Sequence, residues 1–408
     1  MKNNESATRI EPCLFGENIP TKTSDLVIDL VGKSSVLSAW LNPKTAESLS
    51  SIVRTMNCYY SNLIEGHNTK LQDIERALNS DFEDDEKINL QFEALAHIEV
   101  QSKIDQMYMH GKLANPTSIE FILWLHKEFY NNATEEMLTI KSDDRSILME
   151  AGSFRSTNEH NVIVGRHIPP RGQYVLDFMR FFEDRYSQAT GGSSQIMAIA
   201  SAHHRLAYIH PFLDGNGRVC RLMSHAMGLK AGIGASGLWS ISRGLARGLD
   251  APNEYKKMMS LADMKRQGDL DGRGSLSLRA LVDFTDWFLK VSIDQVDFMT
   301  SLFELPHLKK RLDNYVKSKD LKPESMSILE AVLSNGEILR GDAVRITGLK
   351  ERSARTVLSK LTEDGILSSD TPKGPVSLRF NLDSSRILFP KLFSDFSLDQ
   401  DDETNMSY

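Results

Sequence analysis

The sequence has no run of about 20 apolar residues, so it contains no candidate membrane-spanning helix. Its start, MKNNESATRIEPCLFGENIP, lacks the apolar stretch of a secretory signal. Cysteine is scarce: Cys13, Cys58 and Cys220 are an odd set of three. Such a set excludes a disulfide framework and points to a reducing compartment, with the cytoplasm expected. A basic excess is also missing. Lys and Arg number 48 against 55 Asp and Glu, a net charge of -7. Bulk electrostatics therefore exclude the whole chain as a nucleic-acid binder and leave room for a local basic patch. No G-x-x-x-x-G-K-[ST] occurs, which excludes a Walker-type nucleotide site. What remains is an ordinary globular composition, 40% hydrophobic and 25% charged, in 408 residues. At about 150 residues per domain that is enough for two or three domains.

Polar residues with scattered Pro and Gly over 1–35 suggest an extended arm. From 36 to 300 the pattern is mostly helical, in an N-terminal region (36–115) and a second region (116–300). LNPKTAESLSSIVRTMNCYYSNLIEG sets Val53, Met56, Tyr60, Leu63 and Ile64 on one helical face. QFEALAHIEVQSKIDQM, SIEFILWLHKEFY and QYVLDFMRFFEDRY are further amphipathic runs. One interruption, Gly152 to Pro170, carries the β-branched run Val162, Ile163, Val164 and ends in Pro-Pro, which predicts a small β-hairpin. A helical linker (301–320) leads to a change of texture. Over 321–390 a helix, a helix–Gly turn–helix and two strands around a Pro-Gly turn predict a winged-helix α+β domain. Residues 321–383 hold nine Lys/Arg and nine Asp/Glu, a balance that favours protein docking or dimerisation over DNA. DNA binding through that domain stays open, and so does a homodimer. Residues 391–408 form an acidic tail.

Two weak metal signals fail on chemistry. DLDGRGSLSLRA begins like a calcium loop, but Arg273 and Ala280 stand where ligands are needed. His203, His204 and His210 lack a matching Cys or acid set for zinc.

The densest chemistry lies in HPFLDGNGRVCR, His210 to Arg221. Two glycines among small polar residues cannot be helix interior. The stretch lies between the helical runs IMAIASAHHRLAYI and RVCRLMSHAMGLK, so it opens a helix N-terminus, where converging N–H groups and the helix dipole favour an anion. Arg218 and Arg221 are three apart, on one flank of that helix, and suit a polyphosphate. Asp214 is a hard oxygen ligand that could hold Mg²⁺ against the phosphates. Asn216 can hydrogen-bond a phosphate oxygen. His210 has a near-neutral unperturbed pKa and can accept a proton. These parts are those needed to move a phosphorus-centred group to a hydroxyl.

HPFLDGNGRVCR resembles the Fic-domain signature, His-Pro-Phe-x-(Asp/Glu)-Gly-Asn-Gly-Arg-x-x-Arg, at every specified position. GSFRSTNEHNVIV…IPP is similar to the family's β-hairpin flap, and the resemblance covers about 40–300, with 116–300 as the catalytic core. It implies a Fic-type helical bundle with a small hairpin flap. It also implies an adenylyltransferase that moves AMP from ATP-Mg²⁺ onto a Ser, Thr or Tyr hydroxyl of a protein. Carried over, His210 would be the base and Asp214 the Mg²⁺ ligand. Gly215, Asn216 and Gly217 would cradle the α- and β-phosphates, and Arg218 and Arg221 would hold the β- and γ-phosphates. Phe212 would pin the loop, and Val162, Ile163 and Val164 would dock an extended target segment. SNLIEG resembles the family's inhibitory motif: Ser61 and Glu65 share a helix face, Gly66 ends the helix, and Glu65 would pair with Arg221. Self-modification and the reverse removal of AMP are also implied. The competing expectation is a DNA-binding regulator whose Fic domain senses nucleotide.

Overall fold

The computed structural model describes residues 5–15, 19–67, 69, 71–78, 85–142 and 145–392. It is mostly helical. The helices are α1 (Thr21–Ala39), α2 (Pro43–Glu65), α3 (Leu71–Leu78), α4 (Asp85–Met109), α5 (Ile119–Phe129) and α6 (Glu135–Leu138), then a hairpin of β1 (Thr139–Ser142) and β2 (Arg145–Leu148). There follow α7 (Val175–Ser187), α8 (Gly192–Ile209), α9 (Asn216–Lys230), α10 (Ile241–Arg247), α11 (Glu254–Ala262) and α12 (Leu278–Phe303). The chain closes with α13 (Leu305–Ser318), α14 (Glu324–Asn335), β3 (Glu337–Ile338), α15 (Ala343–Thr347), α16 (Glu351–Glu363), β4 (Leu367–Ser368), β5 (Val376–Leu378) and α17 (Leu382–Leu388).

The described residues fall into two compact units, one within 5–33, 57–234 and 240–295, the other within 34–56, 235–239 and 296–392. In the first, α8 packs on α9, and α4, α5 and α7 pack around the pair. Val219, Leu222, Met223 and Ala226 recur at three- and four-residue spacing along α9, so they share its inner face and are at most 1% exposed. They meet Phe121, Leu125 and Phe129 of α5, Phe178 and Phe182 of α7, and Phe212. Each such apolar side chain contributes about 1.5–3 kcal/mol by leaving water, enough in sum to hold the α8–α9 junction still.

The second unit pairs β3, β5 and β4, in that order, into an antiparallel sheet. Gly348, at φ 69°, makes the turn between α15 and α16, a conformation that favours glycine. α16 buries Ala354, Val357, Leu358 and Leu361.

Three expectations are corrected. The N-terminal arm is not simply extended: it holds a 3₁₀ turn at Ala7–Ile10 and then α1. Ile10 and Cys13 are fully buried, and Arg205 donates to the Pro12 carbonyl at 2.9 and 3.1 Å, so the segment is tied into the core. In α1, Val27, Leu30 and Leu37 make a buried face that intervening Ser, Asp and Lys residues hide in the sequence. The hairpin expected over 152–170 reduces to one antiparallel pair, Val164 with His167, closed by reciprocal bonds of 3.0 and 2.9 Å. A regular hairpin lies upstream as β1–β2, where Ile140 pairs with Ile147. Leu63 is 46% exposed and does not join Val53, Met56 and Tyr60 in the core. The expected acidic tail lies, from residue 393 on, outside the described residues. Among the described residues no helix is long and apolar enough to cross a membrane. Asp271, the third position of the calcium-like loop, accepts from the Gln267 and Arg279 backbone and the Ser277 hydroxyl, which makes it a turn-forming carboxylate.

Candidate active site

α8 ends at His210, whose backbone is left-handed (φ 49°, ψ 62°), so the chain reverses sharply there. The turn that follows is built around Phe212. Its ring is fully buried, stacked on His126 at 3.9 Å and tilted against Phe154. Asn216 closes the turn: the Phe212 N–H donates to Asn216 Oδ1 at 2.9 Å, and Asn216 Nδ2 donates to the Phe212 carbonyl at 2.9 Å. Both polar groups of the Asn216 side chain are thereby used. One Nδ2 hydrogen stays available to an anion, beside the Asn216 backbone N–H. α9 then starts after Gly215, whose φ of 77° and close approach to the Tyr130 ring both require glycine. Gly215, at the N-cap of α9, has no side chain to cap the helix. The N–H groups of a helix's first turn lack intrahelical partners and, with the helix dipole, form a positive cradle.

Asp214 and Arg218 face each other across that turn. Arg218 Nη2 donates to Asp214 Oδ2 at 2.8 Å and to the Tyr130 hydroxyl at 3.1 Å, and Tyr130 in turn donates to Asp214 Oδ2 at 2.6 Å. On its far side Arg218 pairs with Glu93 of α4 at 2.9 Å and lies over the Phe129 ring. Glu93 also pairs with His67 at 3.0 Å, and this contact raises the His67 imidazole above its ordinary pKa. Burial works to raise the Asp214 carboxyl, but the Arg218 guanidinium overcomes it and the net pKa is lowered. Asp214 is therefore a carboxylate at neutral pH, with its side chain 45% exposed.

Arg221 reaches from α9 to α2. Its Nε donates to Ser61 Oγ at 2.9 Å, and Nη2 donates to the Ser61 carbonyl at 3.2 Å and to Glu65 Oε1 at 2.6 Å. Arg221 is 1% exposed, and the Glu65 side chain 32%. α2 stops directly after Glu65 because Gly66 takes φ 85°, with the Gly66 and His67 N–H groups bonding back to Leu63 and Asn62. The Glu65 carboxylate lies over the first turn of α9: a Cβ on Gly217 would collide with Oε1 and reach within 3.1 Å of the carboxyl carbon. A negative group therefore already occupies the cradle.

His210 differs from the simple neutral-pH expectation. Burial, then the nearby Arg155 charge, depress its imidazole to about 4. At pH 7 it is an uncharged base. His126 is depressed to about 4 as well, chiefly by burial. It accepts from the Gly152 N–H at 2.8 Å and reaches the Asp214 carbonyl at 3.3 Å, so it props the loop. In the segment before the loop, Ile163 is 75% and Val164 41% exposed, while Val162 is half-buried.

Magnesium fits this donor set. Among the described residues no group of three or more His, Cys, Asp or Glu could hold a metal alone. Mg²⁺ takes one or two carboxylates, keeps several waters and shares phosphate oxygens, so a single half-open carboxylate beside an anion cradle suits it.

Residues 116–227 match the model of the Fic/DOC family. The chain carries a Fic/DOC domain. A protein adenylyltransferase Fic from Drosophila grimshawi is 39% identical over 85 residues, 21% of this chain and 17% of that protein. A protein of the same description from Nematostella vectensis is 40% identical over 86 residues, 21% of this chain and 19% of that protein. The chain thus spans less than a fifth of the length of these curated relatives. A Fic family protein from Desulfovibrio desulfuricans G20 has the same fold at 15% identity, with a TM-score of 0.53 over 89% of this chain and 98% of that one.

The matched Fic/DOC segment holds the His210–Arg221 loop, Tyr130, His126 and Arg155, whereas Ser61, Glu65, His67 and Glu93 reach it from outside. Sequence reasoning missed Tyr130 and Glu93. Tyr130 lies 84 positions from Asp214, and nothing local marks either residue as a partner of the loop. The loop's dependence on its buried anchor is testable. Phe212→Ala is expected to destabilise the Fic/DOC domain by about 3–5 kcal/mol, read as a lowered midpoint in chemical denaturation. An unchanged midpoint would show that the ring does not hold the loop.

Proposed function

We propose that the chain transfers AMP from ATP to a Ser, Thr or Tyr hydroxyl of a protein, and that Glu65 restrains it. In this reading ATP lays its phosphates over the first turn of α9, on the backbone of Gly215, Asn216 and Gly217, with Arg221 at the outer phosphate. Arg218 acts on the phosphates and also steers Asp214. Asp214 would hold Mg²⁺ together with phosphate oxygens, and the bound ion would neutralise phosphate charge. His210 accepts the proton of the target hydroxyl. The hydroxyl oxygen then bonds to the α-phosphorus, the bond from that phosphorus to the bridging oxygen breaks, and pyrophosphate leaves.

The observation that carries the reading is the Glu65 carboxylate bound to Arg221 over the open turn of α9, beside an uncharged His210. The carboxylate lies over the turn where an anion would bind, which supports reading the turn as an anion site and Glu65 as its restraint. The Fic/DOC match and the adenylyltransferase names of the relatives support AMP as the group moved. The exposed Ile163 and Val164 beside the half-buried Val162 support docking of an extended target segment by strand addition. The order helix, strand, two helices and two strands over 324–378 supports a winged helix. On α16, Arg355 pairs with Glu351 and Lys360 with Glu363, which favours a protein partner or a second copy over DNA. Three free, buried cysteines support a reducing, cytoplasmic setting.

The test is mass spectrometry of proteins incubated with ATP and the Glu65→Gly chain. AMP is expected on target hydroxyls, the chain's own included, and not when His210→Ala is added. Hydroxyls free of AMP in the Glu65→Gly reaction would sink the proposal.

A further inference from the structure

Arg155 is 2% exposed and among the largest fully buried side chains. Every hydrogen bond described for its guanidinium runs to a backbone carbonyl. Nε donates to His210 at 2.8 Å, Nη1 to His160 at 3.0 Å, and Nη2 to Pro170 at 3.0 Å and Ile209 at 3.3 Å. The Arg155 N–H adds a bond to the Pro211 carbonyl at 2.8 Å. Burying a cation without a carboxylate is costly, and here burial lowers the guanidinium to about 10. Two features offset the cost. The carbonyls of 209–211 follow the end of α8, where the last carbonyls of a helix lack partners and its dipole is negative. The planar fork also reaches carbonyls in three directions, which an ammonium cannot do.

The placement is specific. Ile209 ends α8 and the left-handed His210 that follows it carries the proposed base. His160 and Pro170 bracket the exposed segment with Ile163 and Val164. We propose that Arg155 is the positioning residue for His210, one buried guanidinium fixing the imidazole and the proposed target-docking segment as a single unit. The inference rests on the AMP-transfer reading for its kinetic consequence, but not for its geometry.

Arg155 also acts on the base by charge. The groups that bear on His210 are Arg155 and His167, which push its pKa down, and Asp214 and Glu65, which push it up. Among the two depressing charges Arg155 is the larger. Removing the guanidinium therefore moves both the position and the titration of the imidazole, whereas a merely structural residue would not move the titration.

The test places Arg155→Lys and Arg155→Met in the Glu65→Gly chain. AMP transfer is measured against pH, ATP binding by calorimetry, and the His210 ring by NMR titration, its signal assigned with His210→Asn. In Arg155→Met, kcat is expected to fall about 10²-fold, the loss typical of a misplaced reacting group. KM for ATP should stay within about twofold, because uniform ATP binding is untouched. The His210 midpoint should rise above about 4 but stay below the ordinary value of about 6.5, because burial, the larger cause, remains. Arg155→Lys keeps the charge and loses the fork, so the midpoint stays low while kcat still falls. A His210 midpoint unmoved in Arg155→Met, or full kcat in Arg155→Lys, overturns the proposal. If Arg155→Met fails to fold, the kcat of Arg155→Lys decides. A Glu65→Gly chain with native Arg155 that transfers no AMP overturns the activity reading instead, and the NMR titration then decides this one alone.

Discussion

His210→Ala, placed in the Glu65→Gly chain, is expected to lower AMP transfer by about 10²–10⁴-fold, the usual contribution of a positioned general base, with ATP binding retained. Binding survives because the anion cradle is made by the backbone of α9's first turn and by Arg221, none of which His210 holds. The fold survives because His210 is partly exposed and its ring is not in the core. Its left-handed backbone is strained for histidine and alanine alike, since both carry a Cβ, so the substitution leaves most of that cost unchanged. His210→Asn is the matched control, since asparagine tolerates that conformation and supplies no comparable base. Both variants should lose transfer alike. The pH profile adds an independent check. Burial and Arg155 depress the imidazole to about 4, so the base is available above that pH and is lost as pH falls through it. Transfer by the Glu65→Gly chain should hold its plateau through pH 6, where an unperturbed histidine, with pKa about 6.5, would already be mostly protonated. An acid limb at the unperturbed value, or full transfer by His210→Asn, would remove His210 as the base.

How much of this was legible in the sequence follows from how local each interaction is. HPFLDGNGRVCR predicts a glycine turn opening a helix, with an acid beside it, because the glycines, the acid and the helix start are neighbours in the chain. Ser61 and Glu65 share a helix face for the same reason, one turn apart. Core positions such as Val219, Leu222 and Met223 follow from helical period alone. What sequence could not supply were choices between partners. Asn216 bonds its own loop, because the Phe212 backbone is buried and must be satisfied locally, and nothing in the neighbouring sequence announces that bond. Arg218 is also held by Glu93 and Asp214 from two sides, and Glu93 comes from a helix 125 positions earlier in the chain (218 − 93). The β-branched run at 162–164 suggested a longer hairpin than the single Val164–His167 pair. There the strand propensity yields to Arg155, Arg9 and His167, which tie the flanking backbone elsewhere, Arg9 to the Ile168 carbonyl and His167 to the Tyr208 carbonyl. The helix α1 escaped notice because its buried face is narrow and its other faces are mixed.

Glu65→Gly is expected to raise AMP transfer about 10–10²-fold over the native chain, measured with radiolabelled ATP. Exposed ion pairs contribute about 1 kcal/mol or less and buried ones several. This pair is mixed, with Arg221 buried and the Glu65 side chain a third open to water. An intermediate value of about 1.5–3 kcal/mol converts to that range of rate, at about 1.4 kcal/mol per tenfold. The physical content is competition for one place. The carboxylate lies over Gly217 and accepts from Arg221 Nη2, so in the proposed reading a triphosphate would have to displace Glu65 to use the turn and the guanidinium. Glu65→Gln, which keeps the size and removes the charge, should release only part of the restraint, because a neutral amide can still accept from Arg221. The pH dependence has a definite sign. Burial tends to raise the Glu65 carboxyl, but Arg221 outweighs it and the net value is lowered. The pair is therefore complete above the ordinary carboxylate pKa and is lost only as pH falls through the lowered one. Restraint of the native chain should consequently be constant across neutral pH and weaken with added salt, since the open side of the pair is screened. Equal rates for the native and Glu65→Gly chains at neutral pH would mean that ATP displaces Glu65 without penalty, and the carboxylate over α9 would then be a resting contact and not a restraint.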